Sequence, residues 1–393
     1  MLTGRCKNAV PNDVKKCLTF AKRVIALFKG ILKMTIVHIA KIENNPCNGV
    51  SVVVPQHICA QSNYANVLFY NLNNIPIVDV ENLQVYSKSF TLDLFESNPD
   101  LVVFHEAYCK EYPFIARLLH RKSIPYVIIP HSQLTKGAQN RKHLKKILAN
   151  YMFFNRFFNN AAAVQFLSNA EYEESVEIKP KKFIATNGIE LPTVQKTKFN
   201  KQNISFLYIG RLEAYQKGLD LMIEAFYKER DLVREKGARL DIYGPDANGR
   251  YAFLDNMIKD KQIEDIIGLH QAVTGTEKQN TLLTSDVFVQ TSRFEGMPMG
   301  VLEAMSYGLP VLITDGTTLG GTVTDTNSGW SCPTDAASIS QMLRKILKDE
   351  CKEAIFKEKS KNAIKLIKSE FVWEKVAKNE IDSYQNIILR NYK

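Results

Sequence analysis

Two stretches in the latter half of the chain combine residue types suited to handling a phosphate ester. The first is Gly210-Arg211-Leu212, followed by Gln216-Lys217-Gly218. A glycine at a strand end lets the backbone turn and a ligand come close. Arg211 and Lys217 then present a planar fork and a point charge to the same mouth, which fits a diphosphate leaving group. The second is Ser292-Arg293-Phe294-Glu295-Gly296-Met297-Pro298-Met299-Gly300-Val301-Leu302-Glu303-Ala304-Met305. Gly296, Pro298 and Gly300 break any helix starting at Glu295. Glu295 is therefore expected in a loop and Glu303 in the first turns of the next helix, with free backbone N–H groups near Met299–Val301 forming an anion site. A carboxylate beside that site would accept hydrogen bonds from hydroxyls, one Glu for a ribose and one for a hexose. Each piece also has an ordinary reading: solvated cations at a strand–turn–helix corner, a loop acid, or a Glu303 that complements a helix N-terminus by under about 1 kcal/mol.

The elements that must hold these residues read as α/β. Apolar runs at 35–40, 67–70, 101–104 and 125–129 are short and rich in Val and Ile, and the stretches between them are long enough for crossover helices. That pattern predicts a parallel sheet. A polar, lysine-bearing stretch from Gln195 to Asn203 reads as a linker, and a second series has strands near 204–209, 238–243, 287–290 and 310–313. The expected divisions are a basic extension (1–33), a first doubly wound domain (34–195), a second (204–370) and a final helix (371–393). Two such domains place a crevice between the carboxyl ends of their strands, where ligands bind.

Composition narrows the function classes. The chain has 393 residues, 45% hydrophobic and 23% charged, which is globular usage. No apolar run is long enough for a membrane span, and no secretory leader is legible. The net charge of +10 is concentrated in residues 1–33, where eight lysines and arginines face one aspartate, so the remainder is near neutral. This distribution, with no basic, aromatic-interleaved stripe, argues against nucleic acid. The seven cysteines are scattered without a CxxC pair, which fits neither a disulfide framework nor a zinc site and points to a reducing, cytoplasmic setting. Residues 14–32 have the spacing of a basic amphipathic helix, which either lies on an anionic membrane surface or packs on the body.

Gly210-Arg211…Lys217-Gly218, Glu295 and Glu303 with seven residues between them, and Gly308-Leu309-Pro310-Val311 together resemble the retaining glycosyltransferases of family 4, which have the GT-B fold. In the first domain, Asn48-Gly49-Val50 looks like the family's glycine loop. Asn98-Pro99-Asp100-Leu101-Val102 with His105 looks like its strand-to-cleft histidine segment, Pro130-His131-Ser132 resembles the PHG turn of polysaccharide-building members, and Thr186-Asn187-Gly188-Ile189 resembles the Asn-Gly-Ile or Asn-Gly-Val before the linker. The resemblance implies two Rossmann-like domains facing across a cleft, with the tail helix crossing back onto the first. It implies that Gly210, Arg211 and Lys217 meet the donor pyrophosphate, that Met297, Met299, Gly300 and Val301 complete the donor site, and that Glu303 holds ribose. Glu295 would contact the transferred sugar and Gly49 would let its loop approach the donor. His131 would stand near the anomeric centre, donating a hydrogen bond to the sugar or orienting the acceptor, and Leu269 to Thr274 would read the base. Three departures are visible: Ser132 replaces Gly in the PHG turn, Gly49 stands without a paired glycine, and Gly320-Gly321-Thr322-Val323-Thr324-Asp325 lacks the usual Glu.

No Asp-x-Asp lies in a loop at a strand end, so no metal or other cofactor is expected; the two cations and the helix N-terminus take the metal's place. The implied activity is transfer of a sugar from a nucleotide-sugar donor, UDP-linked, to a saccharide hydroxyl with retention. The implied acceptor is a lipid-linked intermediate of bacterial surface polysaccharide, met at the inner face of the plasma membrane. The basic run Arg141-Lys142-His143-Leu144-Lys145-Lys146 reads either as a contact for an anionic acceptor or headgroup, or as a solvated helix face. His105-Glu106 is not a zinc-protease motif, because Cys109 stands where the second His is needed. The rival readings are a GT-B nucleotide-sugar epimerase or hydrolase, and a non-catalytic sugar-nucleotide-binding protein.

Overall fold

A computed structural model describes residues 33–43, 48–73, 94–140, 143–199, 203–246 and 249–391. The expected helix at 14–32 and the start of the basic run, Arg141 and Lys142, lie outside these residues. The first sheet contains β1 (Thr35–Ala40), β2 (Asn66–Asn71), β3 (Leu101–His105), β4 (Tyr126–Ile129), β5 (Ala163–Phe166) and β6 (Lys181–Ile184), in the order β2-β1-β3-β4-β5-β6. The second contains β7 (Ser205–Ile209), β8 (Arg239–Tyr243), β9 (Ile267–His270), β10 (Val287–Gln290), β11 (Val311–Thr314) and β12 (Gly329–Cys332), in the order β12-β11-β10-β7-β8-β9. Every neighbouring pair in both sheets is parallel. The central strands are covered on both faces, which is why β1 and β3 are buried at every position and read as near-continuous apolar runs.

Strand order reverses between β1 and β3 in the first sheet and between β7 and β10 in the second. Loops leaving such neighbours diverge to opposite faces and open a crevice at their carboxyl ends. Into these openings project the Asn48-Gly49 turn at the start of α1 (Gly49–Ser62), the segments after β3 and β4, and the loops after β7 and β10. The loop after β7 leads into α2 (Leu219–Lys228). The loop after β10 leads into α4 (Met299–Ser306), against which lies α3 (Gly275–Thr284).

The segment read as a linker is partly docked. Lys196 is buried, pairs with Asp286 at 3.2 Å and donates its backbone N–H to Tyr307, and Phe199 packs on Phe356. The helix α5 (Trp373–Asn391) returns to the first sheet, where Ile381, Tyr384, Ile387 and Ile388 pack with Ile36, Leu101, Val103 and Val127. The outgoing and returning chains touch where they cross: Ile189 bridges Val372 and donates its N–H to the Phe371 carbonyl at 2.7 Å. Gly188 lies so near the Trp373 ring that an added Cβ would stand 2.4 Å from it. No helix among the described residues is long and apolar enough to cross a membrane.

Candidate functional site

The second domain builds its half of the site from two interlocked loops. Arg293 reaches across from the loop after β10, takes both carboxylate oxygens of Asp220 at 2.7 Å and donates to the Tyr215 carbonyl, while its own backbone N–H donates to Gln216. Such a bidentate pair fixes orientation as well as distance. Gly218 adopts φ +63°, and a Cβ there would stand 1.9 Å from the Thr291 carbonyl oxygen. Gly218→Ala combines left-handed strain with a backbone clash and is expected to cost more than about 2 kcal/mol, read from a thermal or urea melt. An unchanged melt would show that the loops tolerate separation.

This bracing brings Lys217 onto Glu295. Lys217 Nζ donates to Glu295 Oε1, and the same oxygen accepts from Ser292 Oγ at 2.8 Å and Gln290 Nε2 at 3.2 Å. All three donors engage one oxygen, Oε1. Arg211, exposed at the end of β7, lines the same cleft as Glu295.

The cleft has a volume of about 730 Å³ and is walled from the first domain by Gly49, Glu106, His131, Ser132 and Gln133, and from the second by Arg211, Gln216, Glu295, Met297 and Met299. An added Cβ at Gly49 would meet nothing within 4 Å, so the turn leaves open space toward a ligand. His131 and Ser132 both have positive φ, 47° and 66°. Ser132 holds a conformation suited to glycine because its N–H is taken by Glu171 Oε1 at 2.5 Å, and its side chain rests where Gly296 has none.

Arg211 and Glu295 thus line one opening, with Gly49 and His131 opposite, and Lys217 is joined to it through its pairing with Glu295. Glu303 stands apart: it lies in α4 and pairs with Lys278 of α3 at 2.5 Å. The backbone groups expected free near Met299–Val301 are partly used, because Met299 N–H donates to the Met297 carbonyl and Val301 N–H to that of Pro298. Val301 is wholly buried in the core between α4 and the sheet. Gly210 packs under Tyr208, and Gly300 packs against Phe288.

Behind His131 lies a group of which sequence reasoning named only His105. His38 of β1, His57 and Gln61 of α1, His105 of β3, and Glu380 of α5 are buried and hydrogen-bonded in series up to His131. The available signal was a histidine inside each of two otherwise apolar strands. Burial, with the neighbouring His57 ring as a lesser cause, pushes His131 down to about 3 and holds His38 well below the usual imidazole range. Burial also lowers His105, with His38 as its next cause, and it raises the Glu106 carboxyl against a hydrogen bond from Gln133. His38, His57 and His105 bring ring nitrogens within 4.8 Å of one another, near enough to hold a metal ion. That group sits in the first domain's core rather than at the cations of the cleft.

Comparison with known proteins matches this architecture. The sucrose-phosphate synthase of Thermosynechococcus elongatus superposes with a TM-score of 0.70 at 15% identity, covering 91% of this chain and 100% of that one. HepE of Anabaena, solved in complex with UDP and glucose, superposes with a TM-score of 0.66 at 15% identity, covering 90% and 100%. The fold is GT-B. Residues 192–363, which make up most of the second domain, match the family model of the glycosyl transferases group 1. An uncharacterized glycosyltransferase of Methanocaldococcus jannaschii is 26% identical over 184 residues, which is 46% of this chain and 44% of its own. The chain therefore spans under half the length of that curated relative.

Proposed function

We propose that this GT-B chain is a retaining, metal-independent glycosyltransferase that moves a sugar from a UDP-linked donor to a saccharide hydroxyl. The observation that carries the reading is that Arg211 and Glu295 line one cleft with Gly49 and His131, and that Lys217 pairs with Glu295. Two cations at the diphosphate offset the charge that grows on the departing group, the task otherwise given to a divalent ion. As the bond from the anomeric carbon to phosphate oxygen breaks, the acceptor oxygen bonds that carbon on the same face and its proton passes to the leaving phosphate. The two domains hold both substrates for this step. Glu295 Oε2 accepts from a hydroxyl of the transferred sugar. Glu303 would serve ribose after exchanging Lys278 for its hydroxyls. A complex of HepE with UDP and glucose supports the choice of donor class.

The acceptor in this reading is a lipid-linked saccharide of a bacterial surface polymer, met at the cytoplasmic leaflet. Its support is a groove of the first domain lined by exposed Phe114, Met152 and Phe153 with Arg117, Arg121 and Arg156, next in the chain to exposed Leu148, Tyr151 and Lys145. Apolar side chains interleaved with cations suit an anionic bilayer surface. Replacing Leu148, Tyr151 and Phe153 together by Asp is expected to reduce sedimentation with phosphatidylglycerol vesicles at least ten-fold, while sparing transfer to a soluble acceptor. Undiminished sedimentation would remove this face from the membrane reading.

The reaction is tested by measuring nucleoside diphosphate release from a panel of sugar nucleotides, with and without lipid-linked acceptor. Acceptor-dependent release supports transfer. Epimerised or hydrolysed donor without acceptor would replace it with an epimerase or hydrolase, and binding without turnover with a non-catalytic sugar-nucleotide-binding protein.

A further inference from the structure

The buried series behind His131 has a direction, and the direction is fixed from its far end. Glu380 Oε1 accepts from Gln165 Nε2 at 2.6 Å. The orientation of Gln165 is set in turn, since its Oε1 accepts from the Tyr384 hydroxyl and its amide also donates to the Ala185 carbonyl. Glu380 Oε2 faces His57 Nε2 at 2.5 Å and Gln61 Nε2 at 2.9 Å. Gln61 Nε2 also stands 2.7 Å from His57 Nε2. Turning the Gln61 amide over would set its carbonyl oxygen against the Glu380 carboxylate, so the NH2 group faces the pair, donating to Glu380 and to a bare His57 Nε2. The Gln61 carbonyl must then accept from His38, whose Nε2 stands 2.9 Å away.

From that point each neutral ring passes the choice along, because an imidazole with one N–H has one donor and one acceptor. His38 donates from Nε2, so its Nδ1 is bare and takes the proton side of His105 Nε2 at 2.9 Å. His105 Nδ1 is then bare and takes that of His131 Nε2 at 3.2 Å. A metal ion shared by His38 and His105 would need both facing nitrogens bare, which this pattern excludes.

We propose that Gln61 and Glu380 act as positioning residues that fix the tautomer of His131 through His38 and His105, so that His131 offers a bare Nδ1 and accepts a hydrogen bond from a substrate hydroxyl in the cleft. This is opposite in sense to a histidine that donates to the sugar. The assignment of the substrate as a hydroxyl rests on the glycosyl-transfer reading; the tautomer does not.

Two-bond proton–nitrogen correlation spectra of the full chain, labelled with 15N-histidine and free of nucleotide, test it at neutral pH. Resonances are assigned by single His→Gln variants. His38, His105 and His131 are each expected as the Nε2–H form. In Gln61→Leu, the acceptor for His38 is gone and His131 is expected to shift to a mixture of tautomers, with turnover of a productive sugar nucleotide falling about ten-fold. A wild-type His131 protonated on Nδ1 or on both nitrogens overturns the proposal, as does a folded Gln61→Leu chain whose His131 is unmoved. Facing nitrogens of His38 and His105 that are both bare and respond to added Zn²⁺ also overturn it. The spectra need no substrate, so their failure is separate from failure of the transferase reading, which would show instead as the absence of diphosphate release from every donor.

Discussion

Lys217→Ala is expected to lower turnover by on the order of 10²-fold or more, with the donor still able to bind through Arg211. The ammonium is partly buried against Glu295 beside the cleft, where a charge acts more strongly than in water. In the proposed reaction it acts only as negative charge accumulates on the leaving diphosphate, so its loss should fall on kcat more than on KM. Structural damage is separable from this effect. Without Lys217, Glu295 Oε1 keeps its bonds to Ser292 and Gln290, and the Arg293–Asp220 brace is untouched. A thermal melt beside the diphosphate-release assay therefore distinguishes a collapsed loop from a lost cation. Arg211→Ala should act on the same charge, and the double variant should lose less than the product of the two singles. Near-normal turnover in a folded Lys217→Ala chain would remove this lysine from the reacting centre.

The second large effect is acid instability of the first domain. His38, His105 and His131 each have a folded pKa below the ordinary 6.5, with burial as the leading cause. For a base whose pKa falls on folding, the unfolded chain binds more protons throughout the interval, so stability is complete above about pH 6.5 and is lost as pH drops below it. Each such histidine tilts stability by up to about 1.4 kcal/mol per pH unit, and three together by up to about 4. Urea melts at pH 7.5, 6.5, 5.5 and 5.0 should show midpoints that hold between the first two values and then fall steeply. His105→Gln should flatten the fall. A midpoint constant down to pH 5 would mean that these rings are protonated in the folded chain, and the hydrogen-bond series would have to be redrawn.

What the sequence disclosed depended on how local the cause was. The strands β1, β2, β3, β4, β7, β8, β10 and β11 are legible because each carries a short apolar run that the core buries. Among the described residues, four strands escaped. β6, Lys181-Lys182-Phe183-Ile184, is an edge strand paired only with β5 and half open to solvent, so it carries no apolar run. β5, β9 and β12 are four residues each, interrupted by Gln165, Gly268 and Ser331, and exist because a neighbour supplies their register. The same division holds for the site. Arg211, Lys217 and Glu295 sit at fixed offsets from strand ends, so their spacing is visible in a one-dimensional string. The series from Glu380 to His131 is not, because its links join residues as far as 323 positions apart. Glu303 shows a third case: its place in the helix was readable, but its pairing with Lys278 depends on how two helices meet.

The return of α5 to the first sheet affects the order in which the molecule can be made. Ile381, Tyr384, Ile387 and Ile388 close a face of that sheet, and Glu380 completes its polar interior. Those residues leave the ribosome only after all of the second domain has been translated. Until then the nascent first half must carry an uncovered apolar flank and histidines without their anchoring carboxylate. Its native packing is thus a late event of synthesis, and a chain stopped at the end of the first domain would present that flank to chaperones and to its own kind.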